Sequence, residues 1–389
     1  MIKVVVLHNF VVPHSFPLLR ELAKKKDIDL EVFYLAESAS NRRWQVIPKD
    51  PGFRYKILPN YQINFFTKDL FTYIINPTIV QELAKSKYDV VISDGWLDFS
   101  CQLVSFLSKL QRKKYILWSE STFNEPSWRR TLSMPLVKTM VRLADAYLAR
   151  GTRAKEYLAF LGANPQKIFI APCVIDVDFF HQKSKLSMAE KNQLERKLQI
   201  KSKSLVLMYS GQLIERKGLI YLFDAFGKIE EKYGDRVALL IQGYGPIKDK
   251  LLKFCRKRRI KNIVFSGHVE TEEIPKIYAL ADIFILPSYE ETWGRVINEA
   301  MACNLPIITT RKVGASADIV KERVNGFIVE ERSSVMLQRA IETLLNDSIL
   351  RKRMGEASWR ISQDFTPALA AEGVYQAIKF VKNNEKAKQ

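Results

Sequence analysis

Short unbroken apolar runs alternate with stretches of helical spacing along most of the chain. In the first half the runs are residues 4–7, 30–34, 90–92, 115–118 and 146–149. A run that stays apolar instead of alternating predicts a strand buried on both faces, as in a parallel sheet covered by helices. Residues 16–22 carry apolar side chains at helical spacing and end in Lys24, Lys25 and Lys26, and a second helical stretch ends at Leu110. Residues 181–204 are polar and charged with no clear strand. The alternation then restarts, with runs at 205–209, 237–241, 263–265, 283–286 and 306–309. Strand–helix alternation of this kind predicts parallel α/β sheets. The break predicts two doubly wound domains, residues 1–175 and 176–365. An amphipathic helix over 367–381, within a C-terminal segment 366–389, completes the first domain, and the tail 382–389 is expected to fray. Ligands of such sheets bind outside the carboxyl ends of the strands, so the loops after the runs are where chemistry is expected.

Composition narrows the class. A chain of 389 residues allows two to three domains at about 150 residues each. No apolar run approaches the roughly 18 residues needed to cross a bilayer. The opening residues 1–8 lack a full apolar leader core and a small-residue cleavage site, which predicts a cytosolic protein. Cys101, Cys173, Cys255 and Cys303 lie far apart with no C-x-x-C, which predicts reduced structural thiols. The formal charge is +19. It is spread, with 25 basic against 15 acidic residues through position 175 and 36 against 27 beyond it. A dispersed excess suits an anionic substrate or an anionic membrane surface better than a nucleic-acid groove. Residues 128–143 interleave basic and large apolar side chains, beside Lys109, Arg112, Lys113 and Lys114. They fit peripheral docking on the inner face of a membrane, or an ordinary helix packed on its own sheet.

The densest chemistry lies at residues 287–306. A buried run ends at Leu286, and a polar loop with Glu291, Thr292 and Trp293 follows. Then come Gly294, Arg295, Val296 and a helix through Cys303 that carries Glu299. Gly294 would let backbone approach a ligand closely, and the helix start behind it would offer N–H groups to a pyrophosphate. Earlier, Gly211, Leu213, Arg216, Lys217 and Gly218 follow the run at 205–209. Arg216 and Lys217 there would supply charge-assisted donors to a diphosphate, or simply be solvated. Gly243 and Tyr244 end one strand, and His268 and Val269 end the next.

These blocks resemble retaining glycosyltransferases of family 4, also called group 1, which have the GT-B fold. The match rests on Glu291 and Glu299 in a Glu-x7-Glu element, with Pro287, Ser288, Gly294 and Glu-Ala-Met-Ala from Glu299, and on Gly-x-Leu-x-x-x-Lys-Gly ending at Gly218. It runs from about Gly151 to Phe365, including a linker-like segment at 171–180. Before residue 150 it is architectural. Gln212 stands where Arg is common and Cys173 where Asn is common. After the first strand, His8 and His14 take the place of a Gly-rich loop.

The resemblance implies two Rossmann-like domains facing each other across a cleft, the first on the acceptor side and the second binding a nucleotide diphosphate sugar, such as a UDP-sugar. It implies transfer to an acceptor hydroxyl with retention, in cell-surface glycan or glycolipid biosynthesis, onto a glycan or lipid-linked acceptor. Arg216, Lys217, Gly294, Arg295 and Val296 would hold the diphosphate. Glu291, Thr292, Trp293 and Glu299 would hold the sugar and ribose, and Gly243, Tyr244, His268 and Val269 would lie at the base. Glu120, in the loop after residues 115–118, takes a place where relatives carry a His, and with Glu291 it is the candidate catalytic residue. No cofactor and no metal is expected. The Asp-x-Asp pairs at Asp27 and Asp29 and at Asp176 and Asp178 lack further oxygen ligands. Rival readings are a sugar-nucleotide epimerase or phosphorylase of the same fold, a glycosidase using Glu291 and Glu299, and a nucleic-acid-binding protein.

Overall fold

The computed structural model describes residues 1–12, 15–38, 50–65, 71–124, 128–267 and 269–386. The chain divides into two compact units, one of residues 1–174 with 367–389 and one of 175–366.

Unit 1 holds strands β1 (Ile2–Phe10), β2 (Ile28–Ala36), β3 (Arg54–Ile57), β4 (Tyr61–Phe65), β5 (Phe71–Ile75), β6 (Val90–Asp94), β7 (Lys114–Ser119), β8 (Ala146–Ala149) and β9 (Ile168–Ile170). Its helices up to the linker are α1 (Phe16–Ala23), α2 (Ile79–Ser86), α3 (Phe99–Leu110), α4 (Trp128–Leu143) and α5 (Thr152–Phe160). Seven strands form one parallel sheet in the order β3-β2-β1-β6-β7-β8-β9, and β4 pairs antiparallel with β5. The unbroken apolar runs are explained by the two faces. Val4, Val6, Ile92 and Ile116 pack on one side, and Val5, Leu7, Val91 and Leu117 on the other.

Unit 2 begins with helices α6 (Val177–Lys183) and α7 (Met188–Lys197). Its strands are β10 (Leu205–Ser210), β11 (Val237–Gln242), β12 (Ile263–Gly267), β13 (Ile283–Leu286), β14 (Ile307–Thr310) and β15 (Gly326–Val329). Between and after them run α8 (Leu219–Tyr233), α9 (Lys248–Arg258), α10 (Ile274–Tyr278), α11 (Val296–Ala302), α12 (Ser334–Asn346) and α13 (Ser348–Ser362). The sheet is six-stranded, in the order β12-β11-β10-β13-β14-β15, and its neighbouring strands pair in parallel. The last helix, α14 (Pro367–Lys386), returns to unit 1, where Ala370, Val374, Ala377, Ile378 and Val381 join the core with Val4, Val6 and Leu19.

The structure corrects the sequence expectation in several places. Residues 181–204 are mostly helical. Ser187 caps α7 through a capping box with Glu190, each side chain bonding the other's backbone N–H. The tail continues as helix to Lys386 where fraying was expected from residue 382. Strands β3, β4, β5, β9 and β15 were not anticipated. β3 is an edge strand with no buried residue, and β9 and β15 are edge strands buried at only part of their length, unlike the fully buried four-residue β8 and β13.

Each sheet has one place where the strand order reverses. In unit 1 it lies between β1 and β6, and in unit 2 between β10 and β13. Helices leave adjacent strands in opposite directions there, which opens a crevice at the carboxyl ends.

Candidate active site

In unit 2 the sequence-predicted residues gather at that reversal. β10 leads into a short 3-10 turn, Glu215–Lys217, closed by Gly218 at φ +68°. Only glycine fits, because a Cβ at Gly218 would stand 2.2 Å from the Pro287 carbonyl oxygen. The loop after β10 is thereby pressed onto the loop after β13. The Tyr289 N–H donates to the Arg216 carbonyl at 3.0 Å, which fastens the two.

The contact sets the charges. Lys217 Nζ donates to Glu291 Oε2, and both side chains are about nine-tenths buried. Arg216 Nη1 donates to the Glu290 carbonyl at 3.0 Å and lies 4.0 Å from Glu291 Oε1. Two cations therefore converge on one carboxylate between the ends of β10 and β13.

The far side of the loop is equally fixed. Glu291 bridges Val313, and its carbonyl accepts from the Gly314 N–H at 3.1 Å. The Trp293 carbonyl accepts from the Ala315 N–H at 2.9 Å. Thr309 Oγ1 donates to the Leu286 carbonyl at 3.0 Å, and Thr310 Oγ1 to that of Ser288. Gly294, at φ +92°, turns the chain into α11, with Leu286 and Val313 methyls where its Cβ would be.

Individual residues then take different positions. The Trp293 indole is buried, and its N–H donates to Asn298 Oδ1 at 2.9 Å, so that side chain is committed to the core. Thr292 is half-buried in the loop, and Arg295 is the N-cap residue of α11. Val296 opens α11, which has only seven residues. Its second N–H, on Ile297, donates back to the Gly294 carbonyl at 2.9 Å, so the row of free donors is shorter than the sequence suggested. Glu299 accepts from the Tyr278 hydroxyl at 2.8 Å and faces Arg295 Nε at 3.8 Å. Burial raises the Glu299 pKa above the ordinary carboxylate value, and Arg295 and Tyr278 offset this only in part.

Gly243 follows β11 against the Gly211 carbonyl, and the Tyr244 carbonyl accepts from the Leu213 N–H at 2.9 Å, leaving its ring exposed. Val269 is half-buried after β12. His268 and His14 lie outside the described residues. Glu120 is exposed and follows β7 in unit 1, so it is not among the unit 2 cluster. Among the described residues, no three His, Cys, Asp or Glu side chains form a group able to hold a metal ion.

Sequence reasoning missed Tyr278 and Thr310, which hold the cluster from neighbouring segments, and Asn298, which holds it from α11 itself. It also gave His8 no role and passed over Asp94 and Arg150. His8 Nδ1 lies 2.8 Å from Asp94 Oδ2 at the reversal of unit 1.

Comparison with known proteins adds the context. A family model described as "Glycosyl transferases group 1" matches residues 190–360, and one described as "Glycosyltransferase Family 4" matches residues 12–179. An uncharacterized glycosyltransferase of Methanocaldococcus jannaschii is 31% identical over 163 residues, 42% of this chain and 41% of that one. A D-inositol 3-phosphate glycosyltransferase of Corynebacterium diphtheriae is 27% identical over 303 residues, 74% of this chain and 69% of that one. The crystal structure of HepE from Anabaena in complex with UDP superposes with a TM-score of 0.76 at 16% identity, covering 97% of this chain and all of that one. Structural neighbours of this kind have the GT-B fold.

Glu299 generates a stability prediction. Its raised pKa means that the folded state holds a proton more tightly than the unfolded chain does. The ionised form therefore costs stability, fully above the folded-state pKa and not at all below the ordinary value of 4.5. Glu299→Gln is expected to raise the melting temperature at pH 8, with the gain shrinking as pH falls toward 4.5. Calorimetry across that range checks it; a gain that grows on acidification would contradict it.

Proposed function

We propose that this chain, which belongs to the group 1 glycosyltransferases, takes a sugar from a nucleoside diphosphate sugar through the unit 2 crevice and places it on an acceptor hydroxyl. The single observation that carries the reading is the convergence of Arg216 and Lys217 on Glu291 between the ends of β10 and β13. A diphosphate leaving group gains negative charge as the bond to the sugar breaks. Fixed cations stabilise it without reorganising at the moment of reaction. Arg216 and Lys217 supply them from a loop already locked by Gly218, and no metal is needed for that task. The UDP bound to HepE supports a uridine nucleotide as the first donor to try.

Glu291 and Glu299 divide the remaining work. Glu299 is a buried carboxylate with one hydroxyl donor, Tyr278, and spare lone pairs. Ribose hydroxyls would satisfy them and relieve part of the burial cost. Glu291 sits between the cations and would hold hydroxyls of the transferred sugar once the diphosphate takes up Lys217. Thr292 and the backbone of Trp293 line the same loop. Retention at the anomeric carbon is supported by the Glu291 and Glu299 pattern, and Glu120 in unit 1 would orient a sugar hydroxyl.

Membrane docking is the second part of the reading. Among the described residues, no helix is long and apolar enough to cross a membrane. α4 buries Val137, Met140 and Val141, as a helix packed on its own domain should, yet leaves Leu132 and Leu136 exposed. Its neighbour α3 exposes Phe99, Phe106 and Leu110 at helical spacing. Apolar side chains beside Arg112, Lys113 and Lys138 suit the interface of an anionic bilayer.

The donor site is tested by melting the protein with a panel of nucleoside diphosphates and their sugars in EDTA. One nucleotide class at 100 times its dissociation constant is expected to add about 2.7 kcal/mol. Glu299→Ala should weaken that binding, and Arg216→Ala should cost about 2–4 kcal/mol in kcat/KM. No shift with any nucleotide, or activity restored only by added Mn²⁺, would overturn the reading. For the membrane, the protein is expected to float with vesicles containing anionic lipid and not with neutral ones, and Leu132→Asp with Leu136→Asp should abolish flotation. Equal recovery with both vesicle types would contradict it.

A further inference from the structure

The second sheet carries another site, at the amino ends of its outer strands. Right-handed crossovers place α8 and α9 on one face of β11 and β12. Phe265 of β12 turns to that face, where its ring lies 6.4 Å from that of Phe223 in α8. Val264, its neighbour along the strand, turns to the opposite face. Leu240 pairs with Val264 in the ladder, so Ala238, two residues before Leu240, shares that face. The connection from β12 to β13 crosses there through α10, which has only five residues. Its Tyr278 packs on Phe180 of α6 and Phe284 of β13, toward the middle of the sheet. The edge over β11 and β12 is left to the chain that follows α7. The result is a cavity of about 460 Å³, and every residue of β12 is only half-buried. Pockets that hold small molecules run from about 300 to 1,000 Å³.

The cavity has an apolar floor and a cationic rim. Ala238 and Val264 lie in the floor, and the short Ala238 side chain leaves it deep. The charged residues that line it are Lys197, Lys201 and Lys261, and none of the described lining residues is acidic. Lys201 Nζ pairs with Asp235 at 2.5 Å. Lys261 acts on Asp235 through its charge but forms no ion pair with it. Neither Lys197 nor Lys261 has an ion-pair partner among the described residues. Arg256, Lys257 and Arg259, all exposed, precede Lys261 and add to the positive field on its side of the opening.

The rim is fixed in the free protein. The Glu230 carboxylate of α8 accepts from the Lys261 N–H at 3.0 Å and from the Asn262 N–H at 2.5 Å, so it is committed to backbone. Asn262 Nδ2 donates to the Gly234 carbonyl at 3.1 Å, and Ser204 Oγ donates to the Asp235 carbonyl at 2.7 Å. The loops that carry Lys201 and Lys261 are thereby fastened to one turn.

These groups select a ligand. Two ammonium groups without an acid call for two negative charges, and a phosphate monoester carries close to two at neutral pH. A sulfate ester or a carboxylate carries one. Lysine recognises such a group as a point charge and does not impose the bidentate geometry of arginine. The floor suits an apolar or ring-shaped body, which inorganic phosphate lacks.

We propose that this cavity is a second binding site, for an organic phosphate monoester, with its phosphate on Lys197 and Lys261 and its body on Ala238 and Val264. The six residues of β11 separate it by about 16 Å from the crevice at the carboxyl ends. It is therefore filled independently of the nucleotide crevice, and it does not rest on the transfer reading.

Calorimetric titration of the full chain with phenyl phosphate tests the site. Phenyl phosphate is expected to bind the wild type about tenfold or more tighter than phenyl sulfate or inorganic phosphate do. Replacing both exposed lysines, Lys197→Ser with Lys261→Ser, should weaken it by at least as much, while Arg216→Ala leaves it unchanged. Binding should also weaken as pH falls below about 6, where the ester takes up its second proton. No binding at millimolar concentration overturns the proposal, as does an affinity unchanged in the double variant. Loss of binding in Arg216→Ala assigns the probe to the nucleotide crevice and also defeats it. Equal affinity for phenyl phosphate and phenyl sulfate contradicts recognition of a dianion. Equal affinity for phenyl phosphate and inorganic phosphate leaves only surface charge and defeats the site.

Discussion

A buried ammonium–carboxylate contact, Lys217 on Glu291, organises the second unit. Neither charge is tolerable there alone, because an unpaired buried charge costs several kcal/mol. The pair exists because the loops after β10 and β13 are forced together, and Gly218 against the Pro287 carbonyl is what allows the approach. Each constraint needs the other. Without the close approach Lys217 would reach solvent, and without the pair the pressed loops would bury a lone carboxylate. Arg216, spending one donor on the Glu290 carbonyl, is held at the same opening with donors to spare. The free protein thus holds two cations at the crevice, balanced by one carboxylate.

The two sheets use one topological device in different chemistry. Each reverses strand order once, and each gathers charged side chains at or just beyond the carboxyl ends of the two strands that flank the reversal. In unit 2 the excess is cationic and suits a diphosphate. In unit 1 a buried histidine, His8, meets Asp94 at 2.8 Å.

Legibility in the sequence followed burial. Strands covered on both faces, such as β1, β6, β10 and β11, are unbroken apolar runs and were read at once. Edge strand β3, with no buried residue, and edge strand β15, whose two middle residues are only half-buried, leave no such trace. Helix α7 was missed although Ser187 and Glu190 spell its capping box. Within the site, Arg216, Lys217, Glu291 and Glu299 were readable because they lie in compact strand–loop–helix segments. That the Trp293 indole N–H is committed to Asn298 is visible only in the fold. Partners such as Tyr278 for Glu299, or Asp94 for His8, lie 21 and 86 positions away, and no local pattern joins them.

The central claim is that the unit 2 cations recognise the diphosphate itself. The most direct measurement is calorimetric titration of UDP and UMP against the wild type and Arg216→Ala. UDP should bind the wild type more tightly than UMP, by about tenfold or more for a charge-assisted contact of 1.5–3 kcal/mol, and the advantage should collapse in the variant. Equal affinity for the two nucleotides in the wild type, or an advantage that survives Arg216→Ala intact, would contradict the account.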